Sequence, residues 1–245
     1  MKSLKYVTNY PGRTSLLLLL LSSWAPCAAA DKSYDLGGSV RVASDYTFRG
    51  VSQTMGNHAI QVSVDLGLPS GLYAYAWWSN VDFIPEGEPD DGATHEVDLA
   101  IGYATDIAEN WRVDFTLVRY LFPGTFSDVD YDYNELMASV WYANTYGATV
   151  AYTADVDGTG ADSTLLRLTA GFDLSTDTTF EASYGYFDLS DAYESAYTYL
   201  EVELARSIGN TEIALAYVDT SQSAETIYSD QANGRRFVLS LQVDW

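Results

Sequence analysis

The chain has 245 residues, 34 acidic against 12 basic, and a formal charge of −22; it is 47% hydrophobic and carries 20 Tyr, 9 Phe and 6 Trp. That charge argues against nucleic acid or an anionic membrane surface as the main partner, and the aromatic content argues against disorder. The single cysteine, Cys27, leaves no pair for an internal disulfide.

Residues 1–30 read as a secretory signal. Lys2, Lys5 and Arg13 form a basic n-region, Leu16 to Leu21 an apolar core, and Ala28-Ala29-Ala30 before Asp31 a small-residue cleavage site. The apolar run is too short for a membrane-spanning helix. No later stretch approaches that length, so an exported chain of this pattern is either soluble or a β-barrel. Residues 31–245 read as one domain. Without the leader they hold 9 bases against the same 34 acids, because Lys2, Lys5 and Arg13 are gone.

Alternation of apolar and polar residues then predicts twelve strands, near 34–48, 58–68, 72–82, 94–104, 111–122, 132–142, 146–155, 163–174, 179–187, 197–208, 211–219 and 235–245. In the second, Ile60, Val62, Val64 and Leu66 oppose Gln61, Ser63 and Asp65. In the eighth, Leu166, Leu168 and Phe172 oppose Leu165, Arg167 and Asp173. Tyr73, Tyr75, Trp77, Trp78 and Trp141 blur the facing of the third and sixth. The connections alternate between tight turns such as Pro69-Ser70-Gly71 and Gly209-Asn210, and long loops such as 83–93 and 220–234.

Long strands, short turns on one side and long loops on the other predict an all-β fold, a single antiparallel transmembrane barrel. A soluble sandwich also alternates, but its strands are shorter. Tyr103, Trp111, Tyr152, Phe172, Phe237 and Trp245 lie on the apolar face near strand ends, where interfacial aromatics belong. Phe237, Leu239, Leu241, Val243 and Trp245, at spacing two, read as the terminal-strand signal for the outer-membrane assembly machinery.

Ser44-Asp45-Tyr46-Thr47-Phe48-Arg49-Gly50-Val51-Ser52-Gln53 resembles the N-terminal signature of the TorF-type porins of proteobacteria, also called the Gcw_chp family. The resemblance implies an outer-membrane barrel acting as a porin, with no established substrate and no catalytic residues to carry over. By alternation the decapeptide ends strand one. Tyr46 and Phe48 then face lipid, while Asp45 and Arg49 face inward and pair across the mouth, as a rim salt bridge or as a solute-recognition cluster.

The inward face predicts the lining. Its acids are Asp35, Asp45, Asp65, Glu96, Asp98, Asp114, Glu135, Asp155, Asp173, Glu181, Glu201, Glu203, Glu212 and Asp244; its bases are Arg41, Arg49, Arg112, Arg167 and Arg236. A twelve-stranded barrel is roughly 25 Å across, leaving roughly 10–14 Å between side chains. The expected function is passive diffusion of small hydrophilic solutes with a preference for cations. Lipids and lipopolysaccharide are the expected partners outside the barrel.

Three other readings are weaker. A structural or adhesive barrel with a plugged lumen fits the same grammar. An outer-membrane hydrolase would need His58 or His95 beside Ser52 or Ser79, with no motif to fix them. Asp155, Asp157, Gly158 and Asp162 begin like a calcium loop, but position 166 is Leu where a Glu is required. No resident metal or cofactor is expected.

Overall fold

The computed structural model describes residues 34–85, 87–126 and 130–245. The signal-peptide reading of residues 1–30 lies outside them.

Twelve strands close an antiparallel barrel: β1 (Asp35–Ala43), β4 (Ala59–Gly67), β5 (Leu72–Asn80), β6 (His95–Ala108), β7 (Trp111–Leu121), β8 (Tyr133–Tyr142), β9 (Tyr146–Thr153), β10 (Ser163–Ser175), β11 (Thr178–Leu189), β12 (Ser195–Ile208), β13 (Thr211–Thr220) and β14 (Arg236–Asp244). Neighbours in sequence are neighbours in space, and β1 closes the ring by pairing with both β4 and β14. Closure leaves no exposed edge, which lipid demands because it offers no hydrogen bonds. Two further strands, β2 (Thr47–Phe48) and β3 (Val51–Ser52), form a separate hairpin within the first long loop.

The period-two pattern sets the faces. Val40, Val42, Ile60, Leu99, Ile101, Phe115, Leu117, Leu168, Leu204 and Leu215 are exposed on the outside, where lipid covers them; Ser63, Thr116, Ser139, Thr149, Ser183 and Ser240 are buried inside. The blurred strands resolve. Tyr73, Tyr75 and Trp77 of β5 lie opposite Gly102, Ala100 and Asp98 of β6, and Trp78 stacks near His95. At the short-turn end Trp111 packs on Tyr142, and Tyr146 and Phe180 on Phe172, on the outer surface. These aromatics form a belt of the kind that settles at a membrane interface.

The seam between first and last strands has its own device. The Trp245 ring lies over Gly38, where any Cβ would come within 2.5 Å of the ring and 2.4 Å of the Ser63 carbonyl. The Trp245 N–H donates to the Gly38 carbonyl at 3.1 Å. An aromatic over a glycine on the neighbouring strand pins register.

One strand departs from expectation. The first ends at Ala43, not at residue 48. The Ser44 N–H still donates to the Leu239 carbonyl at 2.9 Å, after which the chain leaves the wall and turns into the barrel.

Candidate functional site

The decapeptide that reads as a strand end is an inward hairpin. Phe48 and Val51 pair across a two-residue turn at Arg49 (φ 52°) and Gly50 (φ 84°). Two positive φ values are what the tight mirror-image hairpin turn requires. Glycine takes such a φ freely, whereas an arginine there costs about 1 kcal/mol. A Cβ on Gly50 would also approach Tyr199 Cβ to 2.5 Å, so the turn sits directly on β12.

The hairpin is tied to the wall all round. Arg49 Nη2 donates to both carboxylate oxygens of Glu135 on β8, at 2.7 and 2.6 Å, and both residues are buried. Tyr120 on β7 donates its hydroxyl to the same carboxylate at 3.2 Å. Tyr197 on β12 donates to the Arg49 carbonyl at 3.1 Å. The Arg49 guanidinium carbon lies 4.4 Å from the ring centre of Phe187 on β11 and 4.6 Å from that of Phe48, within cation–π range. At the base of the hairpin Tyr46 donates to Glu96 on β6 at 2.9 Å, and Arg236 on β14 donates to Asp45 at 2.7 Å. Ser52 and Thr54 also donate to Asp45, at 2.6 and 2.9 Å.

These contacts correct the expected facing. Tyr46 is buried against Trp77 inside the barrel, and Phe48 packs on Tyr120; neither meets lipid. Asp45 and Arg49 do not pair with each other but with Arg236 and Glu135. The reason is geometric: once the chain leaves the wall after Ala43, Asp45 meets Arg236 on β14 and Arg49 meets Glu135 on β8.

The hairpin lies in the lumen at its long-loop end, hydrogen-bonded to β6, β8, β12 and β14, and so narrows the width expected between side chains there. Tyr46, Val51 and Met55 join Val118, Tyr120, Tyr133, Leu165, Phe187, Leu189, Tyr197 and Tyr199 in one buried apolar cluster. A cavity of about 40 Å³ remains beside the neck of the hairpin, lined in part by Arg41, Asp45, Gln61 and Glu201. Toward the short-turn end the interior is polar.

The other anticipated residues distribute as follows. Glu96 and Asp98 are buried two residues apart on β6, beside the hairpin. Glu201 and Glu203 are buried on β12, and Glu203 faces Glu181 across the β11–β12 ladder and Arg41 at 3.7 Å. Arg167 is buried on β10 and Glu212 on β13. Asp114 accepts hydrogen bonds from Tyr73 at 2.9 Å and Thr116 at 2.7 Å, while Arg112 reaches Asp106 at 3.4 Å near the short-turn rim. Asp35 and Asp173 are exposed at strand ends. Asp155 lies in the loop after β9, where its carboxylate accepts the Gly160 N–H at 2.7 Å. Asp155 does not line the lumen, because β9 ends at Thr153, whereas Asp35 and Asp173 lie within β1 and β10 at the short-turn rim. Phe237, Leu239, Leu241, Val243 and Trp245 all project outward on the last strand.

The serines and histidines do not assemble. Ser52 donates to Asp45, Ser79 to the Asn80 carbonyl at 2.9 Å, and His95 rests on Trp78. In the loop after β9, burial holds the Asp157 carboxyl above its usual range, while the Tyr193 hydroxyl, donating to it at 3.0 Å, works the other way.

A closed antiparallel ring with an apolar exterior, an aromatic belt and a polar, partly filled interior defines a transmembrane β-barrel with a porin-like fold. The chain belongs to the family described as "Bacterial protein of unknown function (Gcw_chp)", which matches residues 27–243. Among solved structures it is similar to the NanC porin (TM-score 0.56, 12% identity, covering 85% of this chain and 98% of that one). It is also similar to the KdgM porin in complex with disordered oligogalacturonate (TM-score 0.52, 8% identity, 85% and 97%). A third likeness is to an outer membrane channel from Pseudomonas putida F1 (TM-score 0.50, 10% identity, 91% and 99%). At these identities the likeness is one of fold. No curated protein matches the chain in sequence.

Proposed function

We propose that this barrel sits in the bacterial outer membrane and passes small hydrophilic solutes by passive diffusion, with a preference for cations, through a lumen whose outer half is restricted by the inward hairpin. The observation that carries the reading is the charge of the wall. Glu96, Asp98, Asp114, Glu135, Glu181, Glu201, Glu203 and Glu212 are buried on inward strand faces, eight carboxylates. Four strand arginines face them: Arg41, Arg112, Arg167 and Arg236. The hairpin adds Arg49 and Asp45, which cancel. Glu181 and Glu203 are register partners on adjacent strands, an arrangement of like charges that costs stability and that a wall built for stability alone has no reason to carry. Charged linings set the sign of the permeant ion, and at about 0.1 M salt the screening length is about 10 Å, enough for the wall to act across the lumen. A polyanion such as the oligogalacturonate seen with KdgM would meet repulsion here.

The narrowed outer lumen favours a second reading, a structural barrel whose external loops carry its activity. Proteoliposome swelling separates the two. With small cationic, neutral and anionic solutes of similar size, the channel reading predicts entry in that order of rate. Absence of swelling with all three supports the structural barrel, and fastest entry of the anion contradicts the charge argument.

A further inference from the structure

The receptor for Arg49 is complete without the rest of the hairpin. Glu135 supplies a carboxylate that is 1% exposed. Tyr120 orients it through a hydrogen bond. Phe187 supplies an aromatic face at 4.4 Å from the guanidinium carbon, and Tyr133, stacked on Tyr120 with ring centres 4.4 Å apart, closes the same wall. All four belong to barrel strands. A buried carboxylate beside aromatic faces is the chemistry that recognises a guanidinium or a small organic ammonium. Within the hairpin, by contrast, Arg49 is strained at φ 52°, and its Nη1 finds no hydrogen-bond partner among the described residues. The wall fits the cation better than the turn fits the arginine.

We propose that Glu135, Tyr120, Tyr133 and Phe187 form a lumen site for solutes bearing a guanidinium group, and that Arg49 is a built-in occupant of that site. The proposal extends the channel reading by naming a solute class, but the site is defined by binding and does not require conduction. Tethering gives Arg49 an effective concentration in the millimolar range or above, so a free guanidinium competes poorly with it in the wild type. Removing the arginine side chain vacates the site and leaves the wall intact.

The test is calorimetric titration of the detergent-solubilised barrel with methylguanidinium. Heat-shifted migration in SDS confirms that each variant is folded. Arg49→Ala should bind methylguanidinium roughly tenfold more tightly than the wild type, as removal of a tethered competitor requires. Arg49→Lys, which keeps a tethered cation, should bind no better than the wild type. The double variant Arg49→Ala/Glu135→Gln should lose the gain. Equal binding by all four proteins, or no binding by a folded Arg49→Ala barrel, overturns the proposal. Because the readout is binding, a silent channel would sink the conduction reading without touching this one.

Discussion

Replacing Glu135 with Gln keeps its shape and removes the charge that holds Arg49. Arg49 is 4% exposed and its only ion pair with an acid is the 2.6 Å contact to Glu135 among the described residues. Stranding one partner of a buried pair costs about 3–5 kcal/mol, which at about 1.4 kcal/mol per decade shifts the docked-to-released equilibrium of the hairpin by roughly two to three and a half orders of magnitude. The barrel itself loses no strand pairing, since β2 and β3 pair only with each other. Trypsin reads the difference, because it cleaves after arginine. Arg235, whose side chain is 80% exposed in the loop before β14, is the internal control. The wild type should be cut at Arg235 and protected at Arg49. The Glu135→Gln barrel should be cut at Arg49 about 100-fold faster than the wild type, provided opening is fast relative to cleavage. Continued protection of Arg49, with Arg235 cut normally and the barrel still heat-modifiable, would refute the claim that this ion pair latches the hairpin.

Two further outcomes follow from particular residues. Trp245→Ser removes the ring that covers Gly38 at the closing seam, so the amount of folded barrel recovered from outer membranes should fall, measured by the fraction that migrates anomalously without boiling; normal recovery removes that role. The Asp157 carboxyl is held above its usual range by burial first, then by Glu135 and Asp155, against the lowering effects of Tyr193 and Arg49. A raised pKa means the fold prefers the protonated acid. The stability it contributes is full below about pH 4, the ordinary carboxylate value, and is lost as pH rises through the raised one. Asp157 also has φ 51°, which asparagine tolerates. Asp157→Asn should therefore raise the midpoint of heat modification at pH 7 by up to about 2–4 °C and leave it unchanged near pH 3; a loss of stability at pH 7 would show that the charged form is the preferred one.

The wall of this barrel was legible because lipid favours apolar residues on the outward face, so period two holds along most of each strand. That is why the predicted 111–122 and 146–155 lie so close to Trp111–Leu121 and Tyr146–Thr153. Alternation fails as a guide where the chain leaves the sheet. Tyr46 and Phe48 continue the period of β1 beyond Ala43, but by then they pack on Trp77 and Tyr120 inside the lumen. A signal of this was present. Val118, Leu165, Phe187, Val218 and Val238 are apolar on the inward face, and all lie at the long-loop ends of their strands. A water-filled lumen gives such residues nothing to bury against, so their clustering at one end points to a chain segment docked there. The Arg49-Gly50 dipeptide is a further clue, since Gly after a turn residue between two short apolar stretches marks a tight hairpin. The partner of Arg49 was not legible: Glu135 is 86 residues away and one of many inward acids, and only the register of twelve strands brings it to the turn.

The claim that the lumen is a cation path restricted by the hairpin is tested most directly by reversal potential across a potassium chloride gradient, measured on planar bilayers for the wild type and for Glu135→Gln. Both should favour potassium over chloride, because the selecting carboxylates belong to the wall, with a larger conductance in the variant and a preference that weakens as salt rises. Preference for chloride at low salt, or silence in both barrels, would contradict it.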